Sequence, residues 1–61
     1  MELKERLEFY KRCLVDCDRV LADLLARDDL TAARKEALID KQLDVRNKLK
    51  KTIEMIEELL R

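Results

Sequence analysis

An apolar repeat in the first half of the chain is the feature that most constrains its fold. Its members follow one another at alternating spacings of four and three residues, and none is charged: Leu3, Leu7, Tyr10, Leu14, Cys17, Leu21 and Leu24. Residues at these spacings form one stripe along an α-helix, which is typical of a helix that packs lengthwise against another helix. The repeat therefore predicts a long amphipathic helix that needs a partner.

A second apolar stripe occupies the other half of the chain. Gln42 and Thr52 interrupt this stripe, whose members are Leu38, Val45, Leu49, Ile53, Ile56 and Leu60. The chain contains no Gly and no Pro, so the two residues that most often break a helix are missing. We therefore expect an all-α protein.

The segment between the stripes decides between a hairpin and a continuous rod. A heptad repeat running through it would place Asp28, Thr31 and Lys35 at three successive positions of the stripe. Burying these polar side chains is costly, whereas Asp28, Asp29 or Thr31 is well suited to cap the N-terminus of a following helix. The sequence therefore predicts a turn, and a parallel coiled-coil rod is the alternative.

Folding the chain back at this turn matches the two stripes. The predicted antiparallel layers are Leu24 with Leu38, Cys17 with Val45, Leu14 with Leu49, and Leu7 with Ile56. We predict one domain, residues 1–61, formed by a helix of about residues 2–27, a turn of about residues 28–31 and a helix of about residues 32–60.

The size of the chain indicates that one hairpin is not sufficient. Sixty-one residues are few for a self-sufficient hydrophobic core. Cys13 and Val20 flank the first stripe and make it wider than a contact between two helices requires. We therefore predict that two hairpins dimerise into a four-helix bundle in which both stripes form the core seam. The alternative is that a different protein covers the stripe.

Cys13 and Cys17 lie one helical turn apart on the side of the predicted helix that faces the core. We interpret them as two small side chains packed in a reducing compartment. The alternatives are a disulfide, within or between chains, and a four-cysteine zinc site completed by a two-fold related copy. Because the spacing is not Cys-x-x-Cys and the chain has no His, we predict no metal and no cofactor.

Catalysis has little support in this composition. The absence of His and Ser removes the familiar catalytic triads, and the absence of Gly removes the loops that bind phosphate groups. We therefore predict that the protein is not an enzyme.

The charges balance, with 14 basic and 14 acidic side chains, so no net charge directs the chain to nucleic acid. The candidate partner-binding residues are one outward aromatic ring and six basic side chains: Phe9, Arg12, Arg19, Arg46, Lys48, Lys50 and Lys51. Phe9 either contacts a partner protein or packs against the second hairpin. Since such residues also bind unpaired RNA bases, an RNA-binding dimer is the alternative function. In length and layout only, the chain resembles the small plasmid RNA-binding hairpin dimers of the repressor-of-primer type.

No apolar run approaches the ~18 residues of a membrane span, and the N-terminus lacks the apolar core of a signal peptide. We therefore expect a cytoplasmic protein that does not enter membranes. The predicted function is a non-enzymatic protein–protein interaction module, namely an adaptor, a small chaperone-like subunit or a regulator. It would act as a helical-hairpin homodimer and bind a further protein through its helix faces.

Overall fold

The computed structural model describes residues 2–61 as two antiparallel helices. Helix α1 spans Leu3–Ala26 and helix α2 spans Ala32–Leu59, and the described residues contain no strand. The dimensions of 44 × 15 × 14 Å are those of two helices lying side by side. The predicted all-α hairpin is confirmed, with helix ends within a residue of those expected, and the continuous rod is wrong.

The chain reverses direction without any residue in the left-handed region of φ. Arg27, which follows α1, has an extended backbone with φ −76° and ψ 134°, and no described residue has positive φ. Thr31 is the N-cap of α2, because its side-chain Oγ1 accepts a hydrogen bond of 3.2 Å from the Arg34 amide. This geometry explains how a turn forms in a chain that contains no glycine.

Lys35 performs the capping that glycine performs at many other helix C-termini. Its Nζ donates hydrogen bonds of 2.9 Å to the carbonyl oxygens of Leu25 and Arg27. The last carbonyls of a helix lack partners within it, and the negative end of the helix dipole favours a cation there. The first turn of α2 therefore stabilises the end of α1.

Arg27 and Asp29 form a two-pronged ion pair across the turn. Arg27 Nε lies 3.1 Å from Asp29 Oδ1, and Arg27 Nη2 lies 3.1 Å from Oδ2. The hydrogen bonds from the Arg27 guanidinium lower the pKa of the Asp29 carboxyl, and the backbone amide of Asp29 and the Arg27 charge act in the same direction. The pair links Arg27 to Asp29 across the exposed part of the turn.

The contact between the helices buries few side chains. Cys17 and Leu24 of α1 and Ile53 and Ile56 of α2 are buried, and each still retains 5–7% of its exposure. The other predicted seam residues divide into two groups. The half-buried group is Leu7, Tyr10, Leu14, Leu21, Leu38 and Leu49, and the exposed group is Leu3, Val45 and Leu60.

The predicted layer of Cys17 with Val45 did not include Gln42, which contacts Cys17 in the hairpin. The Cys17 thiol lies 3.4 Å from both the backbone oxygen and the side-chain Oε1 of Gln42, while Val45 is 42% exposed. Arg46, one turn beyond Gln42, reaches Asp18 of α1 with an Nε to Oδ1 distance of 2.8 Å. These two contacts set the rotation of α2 so that Gln42 faces α1 and Val45 lies to one side.

Replacing Lys35 by Met tests the cap on α1. Met keeps an apolar side chain of similar length but removes the ammonium group, so we expect the free energy of unfolding to fall by about 1 kcal/mol. Chemical denaturation followed by circular dichroism measures this change. Lys51→Met, on the outer surface of α2, is the matched control, and equal destabilisation by the two variants would contradict the capping role.

Titration of Asp29 tests the ion pair in the turn. Because its pKa in the folded chain lies below the usual 3.8, the pair stabilises the fold above that pH. This contribution disappears as the pH falls through the lower folded value. NMR titration of the side-chain carbonyl carbon should show the depressed pKa, and Arg27→Gln should move it back towards 3.8. An unchanged pKa in that variant would disprove the pairing.

Candidate interaction surface

Exposed apolar side chains lie on both sides of the hairpin, since Leu25 and Leu43, which are 65% and 41% exposed, fall by helical spacing on the side that also carries an ion pair. Asp18 and Arg46 meet on one side, which we call the charged face. Successive residues of an α-helix are rotated by 100° about its axis. Counted in this way, Asp18 is rotated from Cys17, and Arg46 from Gln42, in the same sense. In an antiparallel pair, side chains displaced in the opposite sense on either helix lie together on the other side. The ion pair therefore identifies which residues share the second face.

This second face is mainly apolar. Helical spacing places its members about 40–100° from the contact line, away from Asp18 and Arg46. We call the set the apolar face, and it consists of Phe9, Cys13 and Val20 of α1 and Val45, Thr52 and Leu59 of α2. One charged side chain, the exposed Arg6, lies in the same seven-residue row as Cys13 and Val20. Phe9 is 55% exposed and Leu59 is 68% exposed. A row of partly exposed apolar side chains along both helices is a surface that can pack against another apolar surface.

Phe9 has a defined setting on this face. Its ring meets the ring of Tyr10 edge to face, with centroids 5.6 Å apart and planes inclined at 70°. Tyr10 is half-buried at the contact between the helices, so it supports Phe9 from the inside. Phe9 therefore presents its outer side to solvent, while its role in binding stays a prediction.

The basic candidate residues are not gathered on one face. Arg46 is half-buried and paired with Asp18, whereas Lys48, Lys50 and Lys51 are exposed and point in different directions around α2. Arg12 and Arg19 are exposed on α1, further round the helix than Phe9. The candidate basic residues between positions 46 and 51 therefore do not share one face of α2.

A different basic row borders the apolar face. Arg34, Lys41 and Lys48 repeat every seventh residue and are exposed along the outer edge of α2. Of these residues, Lys48 belonged to the predicted set of partner-binding residues. Their seven-residue spacing already predicts from the sequence that they share one helix face, and the rotation of α2 shows that this face borders the apolar face.

The two thiols occupy different environments. Cys17 is buried and close to the two Gln42 oxygens, whereas Cys13 is half-buried on the apolar face, and both are free. Among residues 2–61, no group of three or more His, Cys, Asp or Glu side chains is arranged to hold a metal ion. The same residues form no pocket.

Sequence reasoning missed two functional details of the hairpin. It treated Gln42 as a residue that dilutes the seam, although its oxygens lie against the Cys17 thiol. It also considered Lys35 solely as a charge that a continuous rod would have to bury. In a hairpin, however, a cation in the first turn of α2 lies near the end of α1 and can bind its carbonyl oxygens. Polar residues at stripe positions were the available signal in both cases.

No family model, curated protein or solved structure matches this chain. Within residues 2–61, neither helix combines the length and the apolar character needed to cross a membrane. The surfaces of the hairpin are therefore the basis for the functional argument.

The unequal burial of the thiols gives a prediction of reactivity. We expect iodoacetamide to modify Cys13 several-fold faster than Cys17 in the folded chain, because modification of Cys17 requires local opening of the helix contact. Mass spectrometry of peptides after timed alkylation measures both rates. In denaturant the two rates should converge, and a faster reaction at Cys17 in the folded chain would contradict the described packing.

Proposed function

We propose that this protein is a non-enzymatic protein–protein interaction module that acts as a helical-hairpin homodimer. The class includes adaptors, small chaperone-like subunits and regulators. The observation that carries the proposal is the open apolar face, on which Phe9, Val20, Val45 and Leu59 remain exposed in the single hairpin. Association is the usual way in which a small helical chain covers such a face.

The exposed area of the hairpin supports the same proposal. A compact monomer of this mass, 7.3 kDa, has an accessible surface of ~4,200 Å² by the general scaling of surface with mass. The hairpin exposes 5162 Å². The excess is close to the ~800 Å² that each partner contributes to a standard protein interface. A dimer would therefore bring the exposed area per chain near that of an ordinary small protein.

In such a dimer the apolar faces are internal and the charged faces remain available to a further protein. Helix-face recognition would then use exposed side chains outside the dimer contact, such as Arg12, Arg19, Lys50 and Lys51. The two free thiols suit a reducing compartment, so a cytoplasmic location is part of the proposal.

An RNA-binding dimer is the second candidate, and the row of Arg34, Lys41 and Lys48 is the observation in its favour. The engagement of Arg46 by Asp18 weighs against it. The two candidates differ in their response to salt. An RNA complex should weaken steeply, with a slope of about −0.7 per phosphate contacted, whereas a complex through apolar helix faces should change little.

Sedimentation velocity of the reduced protein over a range of concentrations tests the homodimer. We expect a compact species of twice 7.3 kDa that dissociates on dilution. The alkylation rate of Cys13 should fall as the dimer forms, because Cys13 lies on the apolar face, while that of Cys17 should change less.

Two results would contradict a homodimer formed through the apolar faces. One is a monomer at every concentration, which would leave the apolar face to a different protein. The other is a dimer in which alkylation of Cys13 is as fast as in the monomer, since association would then use another surface.

A further inference from the structure

Two rows of opposite charge border the apolar face. On α1, one row with a seven-residue repeat contains Glu2, Phe9, Asp16 and Asp23. On α2, the equivalent row contains Arg34, Lys41, Lys48 and Met55. We call Asp16, Asp23 and the N-cap residue Glu2 the acidic rim, and Arg34, Lys41 and Lys48 the basic rim. In each row the remaining position is apolar, and Phe9 and Met55 are 55% and 65% exposed.

The two rims lie at equivalent places on their helices. Asp16 and Asp23 are about 100–120° from Cys17, and Lys41 and Lys48 are about 100–120° from Gln42, all away from the charged face. When another helix packs onto the apolar face, a hairpin side chain at this angle lies beside the edge of that helix. The rims therefore flank any partner seated on this face, one along each side.

Two hairpins can stack their apolar faces in two symmetric ways. With the two-fold axis parallel to the helices, both turns lie at the same end and α1 of each copy lies beside α2 of the other. With the axis across the helices, the turns lie at opposite ends and each helix lies beside its own equivalent. Both arrangements bury the same apolar residues, so apolar contact does not choose between them.

The charges of the two rims favour one of the two arrangements. The same-end arrangement sets the acidic rim of each copy against the basic rim of the other. The opposite-end arrangement sets acid against acid along α1 and base against base along α2. Charged residues at the edge of a helical interface select orientation in this way, because like charges penalise the wrong pairing.

The positions of the rims along the hairpin also agree with the same-end arrangement. The contacts of Cys17 with Gln42 and of Asp18 with Arg46 show which residues of α1 and α2 lie at the same level. Along the length of the hairpin, Asp16 therefore lies at a level between Lys41 and Lys48, and Asp23 lies at a level between Arg34 and Lys41. A two-fold axis parallel to the helices preserves these levels, so Asp16 and Asp23 would each lie between two bases of the other copy.

The apolar members of the two rows match in the same way. Phe9 lies at a level between Lys48 and Met55. In the same-end dimer its exposed ring would therefore lie close to the Met55 side chain of the second copy, a favourable sulfur–aromatic contact. The neighbouring row of Glu5, Arg12 and Arg19 on α1 has mixed charge and therefore favours neither arrangement.

We propose that a second copy of this chain covers the apolar face with both turns at the same end, so that the acidic rim of each hairpin meets the basic rim of the other. This arrangement rests on the homodimer of the proposed function and specifies its geometry. It yields a bundle in which every neighbouring pair of helices is antiparallel.

A distance between the two turns tests the orientation. A nitroxide spin label is placed at Asp28→Cys, in an exposed part of the turn, after Cys13→Ala and Cys17→Ala remove the native thiols. Sedimentation first establishes that this variant dimerises. The same-end arrangement should give a label separation of about 15–25 Å, from helix spacings of ~8–10 Å plus the label arms.

The outcomes separate the orientation from the dimer itself. A separation near the 44 Å length of the hairpin would overturn the same-end orientation and leave the homodimer standing. A monomer without dipolar coupling, found also for the unmodified chain by sedimentation, would overturn both proposals.

Charge reversal tests the rims themselves. Asp16→Lys with Asp23→Lys should raise the dimer dissociation constant at least about ten-fold at low salt, because attraction between rims becomes repulsion on both sides of the bundle. Adding Lys41→Glu and Lys48→Glu should restore dimerisation. In the opposite-end arrangement, Asp16→Lys with Asp23→Lys would replace a contact between acids by a contact between bases. The dissociation constant should then change little.

The matched control is Glu8→Lys with Glu54→Lys, which makes the same change in net charge at exposed positions away from both rims. The dissociation constant of this control should stay within a few-fold of the unmodified protein's. If the rim variant dimerised as tightly as the control, the proposed pairing of the rims would be wrong.

Discussion

The rotation of α2 about its own axis determines which surfaces this protein presents. The Cys17 thiol lies against the oxygens of Gln42, and Arg46 pairs with Asp18 at 2.8 Å, so polar contacts near the middle of the hairpin set that rotation. An apolar contact alone specifies rotation weakly, since neighbouring aliphatic side chains can replace one another. A polar residue at a seam position has the same effect in coiled coils, where it fixes register at some cost in stability. The exposed position of Val45 follows directly from this rotation.

The architecture was predictable because it depends on local rules, whereas the rotation was not. An N-cap at Asp28, Asp29 or Thr31 was predictable from side-chain preference, and Thr31 takes this position. The hairpin followed from the cost of burying Asp28, Thr31 and Lys35 in a rod. By contrast, α2 can face α1 with a stripe that includes Gln42 or with a stripe that includes Val45. These two residues are less than one helical turn apart, and a heptad pattern alone does not decide between the two stripes. A contact between a thiol and an amide, 25 residues apart in the chain, made that choice.

The candidate surface was predictable to a similar degree. The exposure of Phe9 followed from its position beside Tyr10 in the seam. The grouping of Arg46, Lys48 and Lys50 as one basic cluster was a poor guide, because residues so close in sequence spread around a helix instead of along it. Seven-residue repeats were more informative, since the row that contains Asp16 and the row that contains Lys41 each stay at one edge of their helix over several turns. What these surfaces bind depends on other molecules, and the sequence of one chain does not contain that information.

The turn has a consequence for how freely the chain can vary. Since no described residue of the hairpin needs positive φ, the backbone of Asp28 and Leu30 accepts most amino acids without conformational strain. Extending an exposed loop costs little closure entropy, because that cost grows slowly with length. The fixed points are Thr31 and Lys35, which act from the start of α2. Relatives could therefore carry longer or different loops on the same pair of helices, and a binding peptide could be inserted there without disturbing the rest of the chain.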